Sequence, residues 1–260
     1  MDFIMTAGHN SIKLWDRQGK HLFDWLRHAT TIWNAEMSKD GNRAVSSAFN
    51  KTFLLWDVRN NELIEAMRGH EDICLAVSIS PDSRLIASGA NDLSIKLWDL
   101  ETRKLTATLH GPTEVIYDLA FSPDGSLLVA CSKDRSARIY DVNEKKLIHI
   151  LKGHQDMVME AEFSPDGRYL VTGSADHSMI LWDVHSGEKI YHFLDIEGAV
   201  MDLAFHPNGL SVYSISTAGD LSHWSVHPEI FVLKYKEEAY LKELSGIAAF
   251  EPRRKGESKK

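Results

Sequence analysis

The stretch from His154 to Asp183, HQDMVMEAEFSPDGRYLVTGSADHSMILWD, reads as three strands joined by two turns. "VMEAEF" runs into "SPDG", where proline presets the turn's backbone angle and glycine relaxes it. "RYLVTGS" follows, then a polar turn and "MILWDV", both rich in the branched and aromatic residues that favour strands. Past the next polar turn, "HSGE", the segment "EKIYHFL" supplies a fourth strand. Four short antiparallel strands make one twisted sheet with two apolar faces, and such a sheet needs neighbours on both sides.

The neighbours are copies of the same unit. Windows of equal length start at His28, His70, Pro112, His154 and Ile196, and the aromatic residue near each end falls at Trp56, Trp98, Tyr140, Trp182 and Trp224, in steps of 42. Trp15 precedes them by 41, so six copies of the ending are present. A period in this range signals a repeat architecture, and radial stacking of sheets buries both faces of each. The expected fold is therefore all-β: a β-propeller of four-stranded antiparallel blades, built from six repeats.

The Trp-Asp ending, the Gly-His opening at Gly69–His70 and Gly153–His154, the "SPDG" turn and the period together resemble the WD-repeat family. The resemblance covers about residues 1–235, the expected propeller, and implies hydrogen-bonded sets that tie each opening residue to its blade. Mapped by position these sets are His154, Thr172, Asp176 and Trp182; His70, Ser88, Asp92 and Trp98; and His28, Ser46, Asn50 and Trp56, with asparagine in place of aspartate. The physical reason holds without the family: a buried indole N–H and a buried carboxylate each cost a few kcal/mol unless partnered. The copy ending at Tyr140 keeps Asp134 but has Pro112 and Ala130, and the copy ending at Trp224 has Ile196 and Ala218. Networks there are expected to be weak or absent, and their turns looser.

These sets answer a question raised by Asp176, His177 and Ser178, three residue types of a hydrolase triad side by side. Asp176 belongs with His154. Equivalents of His177 are Asn10, Lys51, Leu93, Arg135 and Gly219, and hydroxyls recur at the Ser178 position as Ser11, Thr52, Ser94 and Ser136. A triad is recognised by geometry and roles, so a motif distributed around a ring reads as structure and no catalytic residue is expected.

Phe3 to Asp16 matches Leu170 to Asp183, which leaves the first copy without its innermost strand. "GIAAFEP", Gly246 to Pro252, resembles "VMDLAFHP", with Phe250 and Pro252 matching Phe205 and Pro207. Residues 236–252 are accordingly read as a linker plus a strand closing a six-bladed ring, the alternative being an incomplete seven-bladed propeller. Residues 253–260, with "RRKGESKK" at the end, read as a charged disordered tail.

Net charge is −8, with no basic stripe to neutralise phosphates and no apolar run near the roughly 18 residues of a membrane span, so neither nucleic acid nor a membrane is an expected partner. Cys74 and Cys131 sit in apolar runs and read as buried reduced thiols, consistent with a cytoplasmic setting. Three of the 13 histidines belong to the repeat and the rest lack ligand spacing, so no metal and no cofactor is expected. "NKT" at Asn50 is a glycosylation match in form only.

The functional expectation is a non-catalytic protein–protein interaction scaffold, a monomer or part of a larger complex, presenting a propeller face to protein or peptide partners. The alternative is a regulatory or targeting domain of a larger multidomain protein, enzymatic or not. An enzyme using the channel mouth would need acidic or histidine residues converging from the innermost strands, whose positions read as mostly apolar. Five residues after each opening position stand Trp33, Leu75, Tyr117, Met159 and Met201, a candidate partner-binding ring near the channel mouth.

Overall fold

The computed structural model describes residues 3–226. Among the described residues twenty-two strands form six antiparallel sheets, and the sheets are the blades of a six-bladed β-propeller. Blade one holds β1 (Phe3–Gly8), β2 (Ser11–Asp16) and β3 (His21–Trp25); blade two holds β4 (Ile32–Met37), β5 (Arg43–Ala48), β6 (Thr52–Asp57) and β7 (Glu62–Arg68). Blade three is β8 (Cys74–Ile79), β9 (Leu85–Ala90), β10 (Ile95–Asp99) and β11 (Leu105–Leu109), and blade four is β12 (Ile116–Phe121), β13 (Leu127–Ser132), β14 (Ser136–Asp141) and β15 (Lys146–Lys152). Blade five is β16 (Val158–Phe163), β17 (Tyr169–Ser174), β18 (Met179–Asp183) and β19 (Lys189–Phe193); blade six holds β20 (Val200–Phe205), β21 (Ser211–Ser216) and β22 (Leu221–Ser225). No helix occurs among the described residues, so none there is long and apolar enough to cross a membrane.

The sequence pattern accounts for the blade. Gly125, Gly167 and Gly209 end the turns between the first two strands of their blades at φ near +70°, where a Cβ is strained. Alternate side chains of each sheet enter the seam with the next blade. The seam between blades four and five, for example, buries Val129, Cys131 and Ile139 against Val158, Ala161 and Trp182. Side chains of the following blade press on the backbone at Gly89 and Gly173, where a Cβ would come within 2.6 Å of the Ile116 side chain and 2.5 Å of the Val200 side chain.

Blade one differs from its expected alignment by one residue. His9, at φ +49°, and Asn10 form a two-residue hairpin between Gly8 and Ser11, and Trp15 donates from Nε1 to Thr6 Oγ1 at 2.9 Å. Thr6, not Met5, therefore occupies the place of Thr172, which explains the spacing of 41. The expected linker, closing strand and tail at residues 236–260 lie outside the described residues.

Candidate functional site

Three regions of the propeller carry polar chemistry: the hydrogen-bonded turns of the rim, the channel, and the channel mouth. In blade five Trp182 Nε1 donates to Thr172 Oγ1 at 2.9 Å, and the Thr172 hydroxyl in turn faces His154 Nε2 at 2.8 Å. The proton therefore sits on His154 Nδ1, which donates to Asp176 Oδ2 at 3.1 Å. Asp176 also accepts from the Gln155 backbone N–H at 2.7 Å and from Ser178 Oγ at 2.5 Å. Ser178 is thus a donor that fixes the turn. His177 sits at φ +65°. Blade three repeats the chain: Trp98 to Ser88, Ser88 to His70, and His70 Nδ1 to Asp92 Oδ2 at 2.9 Å. Burial opposes ionisation of Asp92, but hydrogen bonds from Ser94, the Glu71 backbone and His70 outweigh it and hold its pKa down at about 2. Asp176 is depressed by the same balance, with His154, Ser178 and Gln155 as donors.

Blade two breaks the chain after the histidine. Trp56 and His28 meet on Ser46 at 2.8 and 2.7 Å, but Asn50 does not join them. Its Oδ1 accepts from Thr52 N at 2.9 Å and Thr52 Oγ1 at 3.0 Å, so the amide has only N–H donors left for His28 Nδ1, which is itself a donor. Nδ1 is buried without a partner, and burial lowers the His28 pKa to about 4. The expected four-member set is therefore a three-member one.

Blade four corrects the opposite expectation. With Pro112 and Ala130 in place, the network is rebuilt around an arginine: Arg138 Nη1 pairs with Asp134 Oδ2 at 2.8 Å, the side chains only 7% and 8% exposed, and donates to Ser136 Oγ at 2.8 Å. Asp134 also receives the Thr113 backbone N–H at 2.9 Å and the Ser136 hydroxyl at 2.5 Å. The turn is anchored by an ion pair where the sequence reading expected a loose one. In blade six Trp224 still donates to Ser214 at 2.8 Å, but Ala218 offers no carboxylate.

The histidines are also less scattered than their spacing suggests. His192 Nε2 lies 2.9 Å from Ser178 Oγ, and nitrogen or oxygen atoms of His154, Asp176 and His192 lie within 4.8 Å of one another. The hydrogen bonds given above already use the His154 and Asp176 atoms of this group.

A second correction lies in the channel. Glu36, Asp118, Glu160, Glu162 and Asp202 converge there from the innermost strands, around a cavity of about 630 Å³. Asp118 is buried, Glu36, Glu160 and Glu162 are half-buried, and Asp202 is exposed. Burial raises the pKa of all five: Glu36 to about 8 and Glu162 to about 7, while like-charge repulsion adds to it, from Asp202 on Asp118 and from Asp118 and Asp202 on Glu160. Among the described residues none of the five makes an ion pair, although Lys39 lines the same cavity. Asp118 accepts from the Ala161 backbone at 3.2 Å and from Asn34 Nδ2 at 3.4 Å across the channel, and Glu36 accepts from the Ile79 backbone at 3.3 Å. The innermost strands were read as mostly apolar; the acids stand six or eight residues after the opening positions, on those same strands.

The candidate ring at the mouth is placed by a recurrent irregularity. Each of β4, β8, β12, β16 and β20 carries a register shift that leaves Trp33, Leu75, Tyr117, Met159 or Met201 as the extra residue. The five do not form an even ring. Leu75 is buried at 3% exposure, Trp33, Tyr117 and Met159 are half-buried, and Met201 is 38% exposed. Trp33 leans across the channel, its Nε1 donating to the Tyr117 carbonyl at 3.2 Å with ring centroids 5.8 Å apart, and it meets Phe49 edge-on at 5.6 Å. Phe49, which the sequence reading left out, is 43% exposed beside them.

The family model described as "WD domain, G-beta repeat" matches residues 61–99, 103–141 and 145–183. No curated protein matches the chain.

Proposed function

This chain belongs to the WD-repeat family, whose propellers are generally protein-interaction scaffolds, and from that premise we propose that it is a non-catalytic platform binding protein or peptide partners at the channel mouth. The observation that carries the reading is the aromatic bridge of Trp33 and Tyr117, with exposed Phe49 against Trp33 and exposed Met201 lining the same cavity as Trp33. Aromatic residues near the centre of an interface are its usual anchors, and the bulges on β4, β12 and β20 present Trp33, Tyr117 and Met201 at equivalent positions around the channel. Buried, unpaired Cys74 and Cys131 support a cytoplasmic setting.

Met201 gives the cleanest test because it is exposed. Met201→Ala is expected to change stability by less than about 1 kcal/mol while weakening capture of a partner identified by pull-down at least tenfold, about 1.4 kcal/mol. Phe49→Ala is expected to behave in the same way. Partners that bind both folded variants with unchanged affinity would remove the mouth as the binding site.

A catalytic reading draws on one observation, the five carboxyl groups around the channel cavity, since a carboxyl held neutral near pH 7 is the form a general acid needs. Hydrolysis by the purified protein of any model ester, glycoside or phosphate substrate, abolished by Glu36→Gln, would establish it against the scaffold reading.

A further inference from the structure

Blade five differs from blades one to four at one position of its outermost strand. His192 pairs with Ile180, and its equivalents, which pair with Lys13, Leu54, Lys96 and Arg138, are Asp24, Ala66, Thr108 and Ile150. His192 Nε2 lies 2.9 Å from Ser178 Oγ, which is itself 2.5 Å from Asp176 Oδ1 and 3.1 Å from His154 Nδ1. Two imidazole nitrogens and a carboxylate oxygen therefore converge around one hydroxyl, all three within 4.8 Å of one another. The neighbouring blades show what else such a carboxylate can hold. In blade four the third strand sends the Arg138 guanidinium to Asp134 and Ser136, and in blade three the equivalent residue is Lys96. Blade five has Ile180 at that position, so its third strand offers no cation there, and a second histidine stands beside the carboxylate instead. Blade three repeats the histidine, aspartate and serine as His70, Asp92 and Ser94, but has Thr108 on its outermost strand.

We propose that His154, Asp176 and His192 bind a divalent transition-metal ion of the zinc type, which takes the part that the Arg138 guanidinium plays in blade four. The donor set is one that such ions select: imidazole nitrogen with carboxylate oxygen, three protein groups and a further position for water. The ion replaces the single hydrogen bond from His154 to Asp176. Ligands on one zinc ion lie no more than about 4 Å apart, so a turn of the half-buried His192 ring closes the set. The surroundings already hold the other two ligands. Asp176 keeps the Gln155 backbone N–H at 2.7 Å, and coordination through His154 Nδ1 moves the histidine's proton to Nε2, where Thr172 Oγ1 at 2.8 Å accepts it. A ligating histidine is normally fixed by such a partner on its other nitrogen. His192 lies on the outer edge of the blade, so the ion enters from solvent. Once bound, it ties β19 to the turn between β17 and β18 and to the loop that opens the blade.

The full chain, freed of metal with a chelator and titrated with Zn2+ in a calorimeter, is expected to bind one tightly held ion. Co2+ at the same site is expected to give the visible absorption of a four-coordinate ion. His192→Gln keeps a donor for Ser178 and removes the ligand, so it should weaken Zn2+ binding by about a hundredfold or more and abolish the Co2+ band. The unfolding midpoint supplies a separate reading: without metal the variant should match the parent chain, and added Zn2+ should raise the midpoint of the parent alone. A parent chain that takes up no Zn2+ overturns the assignment. Uptake that survives in His192→Gln also overturns it, because the ion then sits elsewhere on the chain, and so does a Zn2+-dependent rise in midpoint that both proteins share.

Discussion

The carboxyl groups of the rim and those of the channel lie on the same repeat, yet burial acts on them in opposite ways. At the rim Asp92, Asp134 and Asp176 each accept three or more hydrogen bonds, from a histidine or arginine, a backbone N–H and a hydroxyl, and remain charged. In the channel Glu36, Asp118, Glu160 and Glu162 have no cation paired with them among the described residues and face further carboxyl groups, so burial prevails and their pKa values are raised. Burial raises a carboxyl pKa in both places. What differs is the company each group keeps: at the rim a histidine or arginine joins a backbone N–H and a hydroxyl on the carboxylate, whereas in the channel Asp118 and Glu36 accept backbone N–H groups of Ala161 and Ile79 but face further carboxyl groups with no cation paired to them among the described residues. The rim is thereby a fastening and the channel a cluster of carboxyls whose burial opposes ionisation.

Removing the cation from a rim carboxylate is the most severe way to erase that difference. In Arg138→Leu, Asp134 loses its counter-ion while staying buried, and breaking such a pair typically costs 3–5 kcal/mol. Chemical unfolding at pH 7 is expected to show a loss of about this size. The loss should shrink as pH falls toward 3, because a protonated Asp134 no longer needs the guanidinium. A loss below about 1 kcal/mol at pH 7 would mean that water replaces Arg138 and that the rim is as open as a surface turn.

The channel offers a smaller effect of opposite sign. Glu36 and Glu162 have folded pKa values raised above those of the unfolded chain, so their protonated forms stabilise fully below about pH 4.5, and that stability is lost as pH rises through 7 to 8. The rim aspartates, with depressed values, contribute stability above about pH 4 and lose it as pH falls toward 2. Ionisation of the channel carboxyls is therefore expected to lower stability progressively as pH rises toward 8, while the rim aspartates and His28 lower it on the acid side. Glu36→Gln/Glu162→Gln, which imitates the protonated forms, should flatten the alkaline side only. An unchanged slope in that variant would show that the channel carboxyls are solvated and ionised.

The comparison also separates what the sequence discloses from what it conceals. Strands, turns and blade number are local: "SPDG", the recurring aromatic and the period of 42 each report a few adjacent residues, and all reappear in the structure. The histidine sets are legible because complementary residue types recur at fixed positions. Arg138 was missed because its blade was compared at the histidine position, now Pro112, while the replacement comes from β14, where other blades carry Leu54, Lys96, Ile180 and Ser222. The sign was an arginine inside "ARIY", an otherwise apolar run. The channel acids were missed because a strand reads as apolar when one of its faces is, although Asn34, Asp118, Glu160 and Asp202 recur in phase. Which face of an innermost strand meets the channel depends on the bulge at Trp33 and its equivalents, and a bulge has no residue type of its own.

The gentlest change adds a rim carboxylate where one is lacking. His28 Nδ1 carries a proton with no acceptor, because Asn50 spends its oxygen on Thr52 and presents only N–H groups beyond it. Asn50→Asp keeps the oxygen for Thr52 and gains a second one for His28, the arrangement of Asp92 with Ser94 and His70. A satisfied buried donor typically gains about 1 kcal/mol, and unfolding in urea at pH 7 should show a gain of that size. Proton linkage gives a second reading. His28, held at about 4, costs stability as pH falls below its unfolded value, since the unfolded chain binds the proton first. With a carboxylate beside it the histidine pKa should rise, and the loss between pH 6.5 and 4 should become smaller. If Asn50→Asp instead destabilises at pH 7, blade two holds its histidine in a geometry that a carboxylate does not reach, and the rim networks depend on the placement of each turn more than on its residue types.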